Sequence, residues 1–175
     1  MSYTFTIEQI GGAGMVVPGF GFLLNNELTD FNYDSTGTAN QVEGGKRPRS
    51  SMSPTIVLKD GRPLLVLGSP GGATIITSVS QTILGYLDRN LSLVDAIAAA
   101  RLSSRNGAEG AEPQILAGPD GDALRAKGHT LVSAGTPNEI GAVTAIHPLG
   151  GNTFEAAAET VRRGGGSAMV VRPSP

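Results

Sequence analysis

The chain has 175 residues, 39% hydrophobic and 16% charged, with a formal net charge of −2. That length suffices for a single domain over residues 1–175 with its own core, and the charge leaves no electrostatic footprint for nucleic acid or an anionic membrane. With no cysteine and only two histidines, His129 and His147, outside any HExxH spacing, disulfides, thiolate nucleophiles and Cys- or His-rich metal sites are excluded.

No run of about 18 apolar residues is present and the N-terminus lacks a signal-peptide pattern, so the chain reads as soluble. Residues 3–8 alternate, with Tyr3, Phe5 and Ile7 on one side and Thr4, Thr6 and Glu8 on the other. This predicts a half-buried strand. Met15–Val17 and Phe20–Leu24 read as short extended pieces around Pro18-Gly19. Asn26 is placed to cap a short helical turn carrying Glu27 and Asp30. Residues 32–49 form a polar loop ending in Lys46-Arg47-Pro48-Arg49.

Two strands, Thr55–Lys59 and Pro63–Leu67, flank Asp60-Gly61-Arg62, a hairpin signal. After Gly68-Ser69-Pro70-Gly71-Gly72 a helix is expected from about Thr74 to Arg89, with Ile75, Ile76, Val79, Ile83, Tyr86 and Leu87 as its buried stripe. Ser92 with Asp95 is a capping box that opens a second helix, Leu93 to about Leu102. A third, about Asp122–Lys127, stops at Gly128. Strands are expected at Thr130–Ala134, Ala142–His147, Thr153–Glu159 and Ala168–Arg172, with Gly164–Gly166 a turn before the last. The order predicts a layered α+β sandwich rather than repeated βαβ units.

Three constellations can carry chemistry. The glycine-rich turn at 68–72, between a strand and a helix, presents backbone N–H groups and a helix N-terminus to an anion, either a phosphate or the oxyanion of acyl transfer. No Lys-Ser/Thr follows it and the spacing is not GxGxxG, which argues against a nucleotide; the glycines can also serve the turn alone. Ser50 and Ser51 can donate to a carboxylate or belong to an ordinary serine-rich loop. Glu27 and Asp30 share one face and can grip an ammonium group or merely complement a helix N-terminus.

Taken together, TFTIEQ, NNELTDF, KRPRSSMSPT and GSPGG, in that order, resemble the small, catalytic subunit of γ-glutamyltransferases, from Ser2 to the closing AMVVRP. The resemblance implies an N-terminal-nucleophile hydrolase with an αββα four-layer sandwich shared between two subunits, made by autoproteolysis of a zymogen. It implies a threonine nucleophile whose own α-amine serves as base. By matching motif, Gly71 and Gly72 would form the oxyanion hole and Thr6 would orient the nucleophile. Ser50 and Ser51 would hold the α-carboxylate of the glutamyl group, and Glu27 and Asp30 its α-ammonium. Partners would be the large subunit of the same proenzyme, glutathione or another γ-glutamyl substrate, and water or an amino acid as acceptor. No cofactor and no metal ion are called for, and the family's usual address is outside the cytoplasm.

The chain departs from the pattern at three places. The nucleophilic threonine lies upstream of the position matching Ser2, whereas this sequence opens Met-Ser-Tyr; the expectation is a chain cut short at its start, inactive alone. Glu8 stands where many members carry an asparagine that contacts the substrate amine. The loop from Asp30 to Lys46 is short, as in members without a lid. Two other readings stay open: an inactive fragment that self-associates through uncovered sheet edges and apolar faces, and a related acylase acting on cephalosporin side chains or poly-γ-glutamate.

Overall fold

The computed structural model describes residue 1, residues 4–34 and residues 37–169. They fall into two compact units, one reaching to Met52 and the other beginning at Ser53.

The first unit is built from turns and side-chain hydrogen bonds. The pieces around Pro18-Gly19 pair as expected: Val16 bridges Leu23, and the Leu24 N–H donates to the Met15 carbonyl at 2.9 Å. The strand expected at 3–8 does not form over residues 4–8, and Phe5 and Ile7 are 86% and 47% exposed rather than buried; Tyr3 lies outside the described residues. Alternation supplies two faces, but a strand also needs backbone partners. Here the Glu8 N–H is taken by Asn26 Oδ1 at 2.9 Å. That bond also removes Asn26 from its expected capping role. The turn Glu27–Asp30 is a single 3₁₀ turn without a side-chain cap from Asn26. Asn25 Oδ1 instead accepts the Glu27 N–H at 3.3 Å.

The second unit holds the regular elements. Strands β1 (Thr55–Lys59) and β2 (Arg62–Gly68) form the expected hairpin, turned by Asp60 and Gly61, both in the left-handed region at φ 52° and 74°. They continue into β6 (Thr144–Gly150) and β7 (Thr153–Ala158), giving an antiparallel sheet of order β1-β2-β6-β7. A smaller sheet joins β3 (Leu102–Ser103), β4 (Glu109–Ala111) and β5 (Leu131–Ser133). Two-residue and three-residue strands carry too little alternation to be seen in the sequence, and only β5 was expected. Residues 168 and 169 carry no strand, and 170–172 lie outside the described residues.

Helix α1 (Ile75–Leu87) turns Val79 inward with Ile75, Ile83 and Tyr86 against Leu65, Leu67, Ala145 and Ala157 of the large sheet and Val143 just before β6. Ile76 and Leu87 face outward instead of joining the expected stripe. Helix α2 (Leu93–Ala98) adds Leu93 and Ile97 to the same core. Each large aliphatic buried there contributes roughly 1.5–3 kcal/mol. The Ser92 cap is present: its Oγ accepts the Asp95 N–H at 3.1 Å and donates to the Asp95 carboxylate at 2.6 Å. The α2 helix stops at Ala98, short of Leu102. Helix α3 (Pro113–Leu116) was not expected. Helix α4 (Pro119–Ala126) starts earlier than Asp122 because Pro119 occupies its first turn. No helix among the described residues is long and apolar enough to cross a membrane.

Candidate active site

In the first unit the polar residues singled out by the sequence gather around the 3₁₀ turn. The Thr6 hydroxyl donates to Glu27 Oε2 at 3.0 Å. Glu8 lies near Asp30 and Glu27: burial pushes its carboxyl above the ordinary value, and the Asp30 charge, a hydrogen bond with Asp30 and the Glu27 charge push it further, against the opposing pull of Arg49. Three carboxylates so placed form an acidic corner suited to a cation.

Asn40 ties this corner to the serine pair. Its Nδ2 donates to the Asp30 carbonyl at 2.6 Å and to Asn32 Oδ1 at 3.3 Å, and its Oδ1 accepts the Arg49 N–H at 2.8 Å. Arg49 directly precedes Ser50 and Ser51. The Ser50 hydroxyl is exposed and accepts the Met52 N–H at 3.4 Å, while Ser51 is half-buried. The sequence placed Asn40 in an undifferentiated polar loop; asparagine is common in turns, and only its pairing with a distant carbonyl reveals the clasp.

In the second unit, Gly71 and Gly72 adopt φ of 142° and 51°, values that favour glycine, and lead through the 3₁₀ turn Gly72–Thr74 into α1. The Gly71 carbonyl is taken by the Thr74 N–H at 3.0 Å and the Thr74 hydroxyl at 2.9 Å. Among the described residues neither the Gly71 nor the Gly72 N–H finds an acceptor. Two open amides at the entrance to a helix are suited to developing negative charge.

The sequence missed a second polar cluster in this unit. Arg101, Glu112, Glu159 and Arg162 are all buried. Burial pushes the Glu112 carboxyl up, but hydrogen bonds from Arg162 and from the Ile140 and Arg101 N–H groups, with the Arg162 charge, outweigh it and leave it below the ordinary value. The available signal was position: Arg101 follows an alanine run, Glu112 precedes a proline that opens a helix, and Glu159 directly follows an alanine-rich strand. His129 and His147 lie in side-chain pairs, His129 Nδ1 at 3.1 Å from Glu109 and His147 Nδ1 at 2.6 Å from the Tyr86 hydroxyl. No His, Asp and Glu cluster able to hold a metal occurs among the described residues.

The sequence model of the gamma-glutamyltranspeptidase family matches residues 1–169. The chain belongs to this family. Over 172 residues it is 43% identical to a glutathione hydrolase proenzyme of Bacillus subtilis strain 168, covering 94% of this chain and 28% of that protein. It superposes on a gamma-glutamyltranspeptidase of Pseudomonas nitroreducens, solved with L-DON, with a TM-score of 0.80 and 38% identity, covering 98% of this chain and 93% of that one. It is also 36% identical over 150 residues to an acylase ACY 1 proenzyme of Pseudomonas sp. strain SE83, covering 83% of this chain and 25% of that protein.

As a gamma-glutamyltranspeptidase family member the chain has the expected α+β, N-terminal-nucleophile hydrolase fold. It spans only about a quarter to a third of the curated family proteins it matches. The four motifs that carried the resemblance include both the acidic corner and the diglycine turn.

Proposed function

We propose that this chain is the small-subunit part of an enzyme that transfers or hydrolyses the γ-glutamyl group of glutathione and related compounds. The observation that carries this reading is the Asn40 clasp, which joins a carboxylate corner suited to an ammonium to serine hydroxyls suited to a carboxylate. A glutamyl head group bears both charges, and contacts to each reject analogues lacking either.

The attacking hydroxyl is that of the threonine nucleophile the family resemblance implies, and Thr6 orients it. That hydroxyl adds to the γ-carbonyl carbon while the threonine's α-amine takes the proton. The oxyanion accepts hydrogen bonds from Gly71 and Gly72 as the tetrahedral centre forms. Collapse breaks the C–N bond, the leaving amine takes the proton, and a glutamyl ester remains. Water then releases glutamate, or an amino-acid amine forms a new γ-glutamyl amide. Glu27 and Asp30, with Glu8, hold the substrate ammonium, and Ser50 and Ser51 its α-carboxylate. The partner is the large subunit of the same proenzyme.

The likeness to an acylase proenzyme supports one competing reading, an acylase for substrates without the ammonium. Rates on glutathione and on a glutaryl amide separate the two. The proposal expects turnover of the γ-glutamyl substrate to dominate, and Asp30→Ala to lower its kcat/KM by roughly 10–100-fold, the loss of one charge-assisted contact. Equal turnover of both substrates, or full activity in Asp30→Ala, overturns it.

A further inference from the structure

Four charged side chains are sealed inside the second unit, and the chemistry above uses none of them. Arg101, Glu112, Glu159 and Arg162 are 1%, 3%, 3% and 2% exposed. Arg162 pairs with Glu112 at 2.5 Å and with Glu159 at 3.1 Å, and Arg101 pairs with Glu159 at 3.3 Å. Buried ion pairs are often no more stabilising than apolar residues of the same volume, so such a quartet suggests a role in fixing geometry.

Two of its further hydrogen bonds grip Ile140 in the loop before β6, while others reach the Ile97 and Ala99 carbonyls at the end of α2. Glu112 Oε1 accepts the Ile140 N–H at 2.7 Å, and Arg101 Nη1 donates to the Ile140 carbonyl at 2.8 Å. The next residue, Gly141, has φ 69° and no room for a side chain: a Cβ there would lie 2.4 Å from Ser78 Oγ and 2.7 Å from Ser69 Oγ. From the other side, a Cβ on Gly71 would lie 3.3 Å from Gly141 Cα. The Ala142 N–H donates to Ser69 Oγ at 3.0 Å, and that hydroxyl donates to the Pro70 carbonyl at 2.6 Å. Residues 140–142 are therefore the wall on which the Gly-Ser-Pro-Gly-Gly turn rests.

We propose that Arg101, Glu112, Glu159 and Arg162 are positioning residues for the diglycine turn. Glu112 and Arg101 grip Ile140 at its N–H and its carbonyl, and Arg162 and Glu159 hold those two side chains in place. Together they keep Gly141 and Ala142 against Ser69, Pro70 and Gly71 and so set the direction of the Gly71 and Gly72 amides. The catalytic consequence rests on the acyl-transfer reading; the mechanical link stands within the second unit. A misplacement of about 1 Å costs on the order of 100-fold in rate.

The test uses Arg101→Lys in the whole protein assembled with its large subunit. Lysine keeps the charge beside Glu159 but lacks the fork that reaches Ile140. For γ-glutamyl p-nitroanilide, kcat is expected to fall roughly 10–100-fold with KM little changed. Hydrogen exchange at residues 68–74 and 140–143 is expected to quicken at least ~10-fold while β1 keeps its protection. Uniformly faster exchange, which marks a purely stabilising role, or unchanged exchange at 68–74 overturns the proposal. Gly141→Ala leaves the quartet in place and breaks the next link; it should lower kcat in the same manner, and an unchanged kcat there overturns the proposal even if Arg101→Lys does not fold. A wild-type protein without γ-glutamyl turnover defeats the function proposed above, and the exchange measurement still decides the positioning claim.

Discussion

The Thr6 hydroxyl donates to the Glu27 carboxylate at 3.0 Å, across 21 positions of sequence. Its proton is committed there, so the lone pairs of its oxygen are what it offers to another hydroxyl. This suits a group that orients a nucleophile by accepting a hydrogen bond. Thr6→Val is expected to lower kcat for γ-glutamyl p-nitroanilide at least ~10-fold, whereas Thr6→Ser keeps most of it. Comparable activity in the valine variant would show that the hydroxyl plays no such part.

Asn40 joins Asp30 to Arg49 through both ends of its amide. Asn40→Leu removes these bonds while keeping the side-chain volume. The expected result is a KM for γ-glutamyl substrates raised roughly 10-fold or more, at about 1 kcal/mol for each lost bond, with kcat changed much less. Steady-state kinetics read this directly; a fall in kcat alone would place Asn40 in a different role.

Glu8 holds its proton more tightly in the folded chain than its ordinary value of 4.5 implies, through burial first and then the Asp30 and Glu27 carboxylates. A raised carboxyl pKa means that the folded form binds more protons than the unfolded form between 4.5 and the folded value. Stability associated with Glu8 therefore rises as pH falls through that window. Glu8→Gln should be more stable than wild type at neutral pH and lose this advantage below about pH 4.5. Denaturant titrations across pH test it, and a neutral-pH destabilisation contradicts the carboxylate crowding.

Glu112 behaves in the opposite sense. Its folded pKa lies below 4.5 because the Arg162 and backbone hydrogen bonds outweigh burial. Its contribution is thus complete above pH 4.5 and is lost as pH falls through its depressed folded value. Glu112→Gln, which leaves Arg162 short of its partner, is expected to destabilise the second unit by about 3–5 kcal/mol at neutral pH. The gap from wild type should narrow in acid below about pH 4.5. A gap independent of pH would mean that the charge of Glu112 is not what matters.

Much of the second unit was legible because its signals are local. The β1–β2 hairpin announced itself through Asp60-Gly61 between apolar runs, α1 through its helical spacing, and α2 through Ser92 and Asp95. The strand drawn over residues 3–8 failed because alternation names two faces without naming a backbone partner, and Asn26 claimed the Glu8 N–H. The candidate site was legible as motifs but not as a structure. Nothing in the spacing of Asn40 or Arg101 says that one clasps Asp30 and the other reaches Ile140, since such contacts span long sequence separations. Arginine and glutamate also read as surface residues until their partners are known.

The account rests on the glutamyl head group being held by this chain, and a crystal structure of the assembled protein with bound glutamate measures that most directly. The ligand ammonium is expected about 3 Å from carboxylate oxygens of Asp30 and Glu27, with its α-carboxylate on the Ser50 and Ser51 hydroxyls. Glutamate bound with its ammonium away from Asp30 and Glu27, or with its α-carboxylate away from Ser50 and Ser51, would contradict it.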